Sequence, residues 1–276
     1  MHTKRHEQFR STPDPAEWTT PIEPFRIAGN IYYVGTEGLS AYLIVSDRGA
    51  ILLDGTLQQN AALIERNIES VGVALKDVKI VISDHAHTDH VGAIAKIKAD
   101  TGAEFIASAG DRWALEHGEP RGDTTYAPMT FPPIHVDAII GDGETKHLGN
   151  VVLTAHLTPG HTPGCTTWSM SVQDGDTSLR VVFLCSITVA GNVLVGNKAY
   201  PGIVADYRAT FDRLQAMPAD IVLTSHPDMS DVLGRRARRD AGDVNAFVDP
   251  TELPRIVSTA RAEFEKSLAA ASKPKH

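Results

Sequence analysis

The stretch that most restricts the fold of this chain is 78–102, VKIVISDHAHTDHVGAIAKIKADTG. Its first residues read as a buried strand, and VGAIAKIKADTG reads as a helix closed by Gly102. Between them His85, His87 and His90 stand with Asp84 and Asp89. Such a cluster is hard to satisfy in a closed core, because each buried imidazole or carboxylate needs a partner. It marks a metal site held between a strand and a helix. His85 and His87 are two apart, so in an extended segment both face the same way and can reach one ion. Asp89 and His90 can serve a neighbouring position. The pattern differs from H-E-x-x-H, which presents its histidines from one helical face. Imidazoles with a carboxylate suit zinc first, with iron or manganese as alternatives. The competing reading is a polar turn with incidental histidines.

The rest of the chain repeats the alternation of strand and helix. From Ile31, IYYVG, AYLIVSD and AILLDG read as a β-meander. LQQNAALIERNIESVG carries a helical apolar stripe ending at Gly72, AEFIAS is a strand, and a helix follows around DRWALEHG. Residues 117–133 are rich in Pro and Gly and have no periodicity, and loops of that length are more often functional than structural. Then come strands in HVDAII, NVVLTAHL, CTTWSMSV and RVVFLC, a helix in GIVADYRATFDRLQAM, a strand in DIVLTS and a helix around 252–270. Each half runs strands, helix, strand, with a histidine-bearing turn after a strand. That predicts two similar halves packed sheet to sheet with helices outside. Residues 1–24, polar and Pro-rich, are expected to form a loosely ordered arm before a single domain over 25–276. The run RRARR at 235–239 reads as a solvated helix face. His117 and His147 read as surface residues, and His135 and His156 as core or surface residues.

A formal net charge of -8 argues against nucleic acid as a partner. No apolar run is long enough for a membrane span. The N-terminal residues show no apolar signal-peptide core, which leaves a cytoplasmic protein or the mature form of an exported one. Cys165 and Cys185 leave open one bridge, two buried thiols or one metal ligand.

HAHTDH at 85–90 matches an H-x-H-x-D-H signature, and through it the chain resembles the metallo-β-lactamase superfamily. The resemblance implies an α/β fold, the αβ/βα four-layer sandwich, with two β-sheets face to face and helices outside. TPGHTPG at 158–164 is similar to the turn that supplies the next histidine, His161. IVLTSHPD puts His226 just after a strand, where the family has its last histidine. Asp54 in LLDG resembles the aspartate that braces the metal loop. RVVFLCSITVAGN at 180–192 has no aspartate, whereas glyoxalase II and many lactonases carry a metal-bridging one there. The first two β-lactamase subclasses use a cysteine ligand but lack the histidine found here as His90. The third uses that histidine and replaces the cysteine with a serine. CSITVAGNVLVGN resembles the third subclass, with Ser186 at the serine position. PFRIAGNIYYVGTEGLSAYLI, AHLTPGHTPGCTTW and YPGIVADYRATFDRL resemble it too, so the likeness runs over about residues 24 to 245.

The resemblance further implies an enzyme with two zinc ions per chain. His85, His87 and His161 hold one, and Asp89, His90 and His226 the other. The implied reaction is hydrolysis of the β-lactam amide by a metal-bound hydroxide that Asp89 orients. It confers resistance to β-lactams, carbapenems among them. Ser186 and Thr188 are expected to hold the substrate carboxylate, and Tyr126, Met129 or Phe131 to supply apolar contacts from the 117–133 loop. The subclass implies a periplasmic monomer acting on a small molecule. The alternative is a hydrolase of the same fold acting on a lactone or thioester. Two departures stand out. Asp84 occupies a position where the family often has a small polar residue, and it has no assigned role. Cys185 stands beside Ser186, 20 residues after Cys165, and the two are expected to form a disulfide in an oxidising compartment, with free buried thiols as the alternative.

Overall fold

The apolar runs form two sheets in a computed structural model of the chain, which describes residues 14–125 and 129–273. The first sheet is built in sequence order from β1 (Phe25–Ala28), β2 (Ile31–Tyr33), β3 (Tyr42–Ser46), β4 (Gly49–Leu53), β5 (Val78–Ile82), β6 (Glu104–Ser108) and β7 (Ala138–Ile140). Its first four strands are an antiparallel meander, and β4 to β7 run parallel. The parallel part needs crossovers, which α1 (Ala61–Ser70), α2 (Thr88–Val91), α3 (Ile94–Thr101) and α4 (Ala109–His117) supply. The second sheet has the order β12-β11-β10-β9-β8, from β8 (Thr145–Leu148), β9 (Val151–Leu157), β10 (Thr166–Asp174), β11 (Thr177–Leu184) and β12 (Ile221–Thr224). Helices α5 (Ile203–Gln215), α6 (Val232–Asp240) and α7 (Glu252–Ala271) complete the described chain. None of the described helices is long and apolar enough to cross a membrane.

Strand periodicity sorts the core into three slabs. On β4, β5 and β11, Ile51, Leu53, Ile80, Ile82, Val181 and Phe183 point into the layer between the sheets. Their neighbours Leu52 and Val81 face α1 and α3, whose Ile64, Ile68, Ile94 and Ile97 are fully buried. Val182 and Leu184 face α5 and α7 through Tyr207, Phe211, Val257 and Phe264. A strand covered on both faces reads as a continuous apolar run, which is why VKIVIS and RVVFLC show little alternation. The layers are therefore helix, sheet, sheet, helix, the four-layer α/β sandwich.

Three expectations need revision. The described part of the N-terminal arm packs on the domain: residues Ala16–Trp18 form a 3-10 turn, Gly38 N–H donates to Glu17 O at 2.8 Å, and Glu37 N–H donates to Thr20 O at 3.0 Å. A Cβ at Gly38 would lie 2.8 Å from both Glu17 Cγ and Trp18 Cδ1, so only glycine lets the arm lie this close. Residues 1–13 lie outside the described residues. The RRARR run is not a uniformly solvated face: Arg235 is buried and pairs with the buried Glu252 at 2.7 Å. Strands β1 and β8 add to the set read from the sequence; β8, TKHL, is polar at three of its four positions, as suits an edge strand.

Candidate metal centre

The strands that reach the centre do so by their C-terminal ends. Asp54 follows β4, Asp84 and His85 follow β5, His161 follows β9, Ser186 follows β11 and His226 follows β12. In the second sheet β9, β11 and β12 point the same way, because β10 is antiparallel to both β9 and β11 and β12 is parallel to β11. Loops from both sheets therefore meet at one edge of the sandwich.

Of the three-residue groups that form there, two are made of the expected ligands, and Asp84, His85 and His90 make another. The ligating atoms of His85, His87 and His161 lie within 4.8 Å of one another, and so do those of Asp89, His90 and His226. His87 Nδ1 and His161 Nε2 face each other at 3.1 Å. His161 Nδ1 donates to Thr188 O at 2.8 Å, which leaves Nε2 as the lone-pair nitrogen turned inward. His85 Nε2 is buried and has no hydrogen-bond partner. Asp89 Oδ2 lies 3.3 Å from His90 Nε2 and 3.3 Å from His226 Nε2. Converging imidazole nitrogens, one of them unpartnered, fit a divalent cation.

Electrostatics favour the same occupant. Burial, reinforced by neighbouring imidazoles, pushes His85, His87 and His161 down to about 3, so at neutral pH all three are neutral, the form that ligates a metal. Burial opposes charge on Asp89, but His90 and His226 outweigh it and hold the carboxyl well below its ordinary range. His90 is the converse. Burial lowers it, yet Asp89, Asp84 and Asp54 together raise it well above an ordinary histidine. A metal ion held there would have to displace a proton from His90.

Comparison with known proteins decides the family. The Metallo-beta-lactamase superfamily profile matches residues 34–226. The chain belongs to the metallo-β-lactamase superfamily. It superposes on BJP-1, a subclass B3 metallo-β-lactamase of Bradyrhizobium japonicum, with TM-score 0.89 and 42% identity over 93% of this chain and 97% of that one. FEZ-1 from Legionella gormanii gives TM-score 0.88 and 38% identity, over 93% and 99%. Curated relatives are more distant. A hydroxyacylglutathione hydrolase of Methylococcus capsulatus is 28% identical over 51% of this chain and 44% of its own length. A metal-dependent hydrolase of Rhizobium etli is 32% identical over 41% and 52%. The chain thus spans about half the length of these curated relatives.

Around this metallo-β-lactamase centre lies a cleft of about 260 Å³, bounded among others by Trp18, Met129, Ser186, Thr188, His226 and Met229. Trp18 comes from the arm, and its ring centre lies 5.6 Å from that of His226. Met129 reaches the cleft, but Phe131 packs into the core beside α4, because its N–H is tied to Gly118 O at 2.9 Å. Tyr126 lies outside the described residues. Ser186 is buried, its Oγ 3.3 Å from His161 Nδ1 and 3.1 Å from Thr188 Oγ1, which leaves Thr188 the more open of the two hydroxyl groups. Cys165 and Cys185 form a disulfide joining the start of β10 to the end of β11 with Cα atoms 6.0 Å apart, so neither thiol is available as a ligand.

Asp54 braces the metal loop from the turn after β4, where it adopts a left-handed backbone with φ 64°. Its Oδ1 accepts from Asp84 N–H at 3.0 Å and its Oδ2 is 3.5 Å from His90 Nδ1. A second brace, Asp111, escapes a reading of the sequence. Set in the first turn of α4, it accepts from Ala86 N–H at 3.0 Å, Gly164 N–H at 2.8 Å and Thr162 Oγ1 at 2.8 Å. It thereby ties the loop bearing His85 and His87 to the loop bearing His161. A Cβ at Gly164 would stand 2.2 Å from Asp111 N, so this contact needs glycine. Burial pushes Asp111 up to about 6 despite the three donors.

Proposed function

We propose that this chain hydrolyses the amide bond of β-lactams with two zinc ions, as a periplasmic monomer that gives resistance to these compounds. The observation that carries this reading is the pairing of His85, His87 and His161 with Asp89, His90 and His226, all of which except His85 line one cleft. The 42% identity to a subclass B3 enzyme over nearly the whole of both chains supports it. The first group would hold one ion and the second group the other. Zinc bound there supplies Lewis acidity and activates water for attack at neutral pH.

The protein's own groups set the geometry of that attack. Asp89, held ionised beside His90 and His226, accepts a hydrogen bond from the attacking water and orients it toward the amide carbon. Thr188 Oγ1 donates to the carboxylate that β-lactams carry beside the ring, and Ser186 orients Thr188 at 3.1 Å. Trp18, Met129 and Met229 line the cleft with apolar surface and exclude water from the substrate flanks. The relatives that include hydroxyacylglutathione hydrolases favour a thioester as the second reading, but residues 180–192 offer no aspartate between the two groups.

The test combines metal analysis with hydrolysis of a chromogenic cephalosporin, a penicillin, a carbapenem, a lactone and a glutathione thioester, each with and without chelator. Two zinc ions per chain and chelator-sensitive β-lactam turnover are expected. Turnover that survives complete metal removal, or a preference for the thioester, overturns the reading.

A further inference from the structure

Asp84 takes no part in the proposed hydrolysis, yet its surroundings are specific. It is buried, and its Oδ1 lies 2.8 Å from His85 Nδ1, the ring nitrogen opposite the inward-facing Nε2. Its backbone is fixed on both sides: the N–H donates to Asp54 Oδ1 at 3.0 Å and the carbonyl accepts from Thr166 N–H at 2.8 Å. The side chain is thus held under the imidazole by main-chain bonds that do not involve its own carboxylate. His90, from the other group, has Asp54 Oδ2 at a longer 3.5 Å from its Nδ1, and neither carboxylate oxygen makes a hydrogen bond among the described residues, so each acts on its imidazole as a nearby charge. One histidine in each three-residue group is therefore backed by a buried carboxylate, and the two carboxylates come from adjacent strand ends.

We propose that Asp84 is a positioning residue for the first metal: its carboxylate, set 2.8 Å from the ring of His85, raises the donor strength of Nε2, so that this chain holds that ion more tightly than a small polar residue at position 84 would allow. The proposal rests on the reading of His85, His87 and His161 as metal ligands. A carboxylate behind a ligating imidazole polarises the ring toward the metal and restricts its rotation, and loss of such a partner commonly costs 10–100-fold in metal affinity. The carboxylate also places a negative charge next to the site, where low polarity strengthens its attraction for a dication.

Two variants separate this role from a merely structural one. Asp84→Asn keeps the shape and removes the charge; Asp84→Ser removes both. Each is measured for zinc affinity by competition with a chromophoric chelator, for the absorption spectrum of its cobalt-substituted form, and for thermal unfolding of the metal-free protein. The tighter zinc is expected to weaken by about 10–100-fold in Asp84→Ser and less in Asp84→Asn. The cobalt bands should shift while the metal-free protein still unfolds in one cooperative transition. Wild-type zinc affinity in both variants overturns the proposal. So does loss of the metal-free fold in both, which assigns Asp84 to the scaffold. A wild-type protein that binds no zinc at all refutes the metal reading itself, a separate outcome.

Discussion

Replacing Asp111 by alanine tests whether one buried acid holds the two halves of the metal centre together. The change strands three buried donors, Ala86 N–H, Gly164 N–H and Thr162 O–H. An unpaired buried donor costs about 2 kcal/mol, so the lost bonds amount to about 6 kcal/mol. Against this stands the burial of the charge. Raising the carboxyl from 3.8 to about 6 means its ionisation costs about 3 kcal/mol of stability at neutral pH, which the alanine variant regains. The net loss is about 3 kcal/mol. The sign of its pH dependence comes from the raised value. The ionisation cost is fully present above about pH 6 and vanishes as the pH falls to 3.8, so the deficit of the variant should widen on acidification. Urea unfolding of chelator-treated protein at about pH 7.5 and about pH 4.5, on either side of the raised value, measures it. Because the two loops joined by Asp111 carry His85, His87 and His161, zinc affinity should fall as well. A stability deficit under about 1 kcal/mol, or one that shrinks toward low pH, would refute the brace.

Two further perturbations probe regions on either side of the centre. Arg235→Ala leaves the buried Glu252 without its closest cation and the Ser230 and Ala246 carbonyls without a donor; about 3–5 kcal/mol of unfolding free energy should be lost, and Glu252→Gln in the same chain should restore part of it. A loss below about 1 kcal/mol would show that water satisfies Glu252. Trp18→Ala removes the aromatic wall beside His226 and should raise KM for β-lactams several-fold while kcat and zinc content stay near wild type; an unchanged KM across penicillins, cephalosporins and carbapenems would exclude the arm from the cleft.

How much of the centre is legible in the sequence depends on where each group finds its partner. Strand, turn and helix around 78–102 can be read because period-2 and period-3.6 patterns are local, and the same locality exposes HAHTDH. His161 and His226 need a family pattern, since a lone histidine after a strand has many uses. Arg235 reads as solvated although a local signal to the contrary exists: it follows the apolar Val232 by three positions, so both lie on one face of α6, and that face is buried. Asp111 carries no such signal. Its partners are the N–H groups of Ala86 and Gly164 and the hydroxyl of Thr162, 25 to 53 positions away, and nothing in DRWALEHG distinguishes this acid from a solvated residue in the first turn of a helix.

The acids near the centre share one physical constraint. Asp54, Asp84, Asp89 and Asp111 are all buried, and burial, with the Asp84 charge after it, pushes Asp54 well above the usual carboxylate range. The histidines cannot balance them, because burial keeps His85, His87 and His161 neutral. His90, which the acids raise well above an ordinary histidine, is a counter-charge of the protein's own, and it is the group a second ion would deprotonate. Buried acids of this density are costly in a metal-free fold and favourable in a loaded one. Metal binding should therefore supply a large part of the stability of this edge of the sandwich as well as its chemistry.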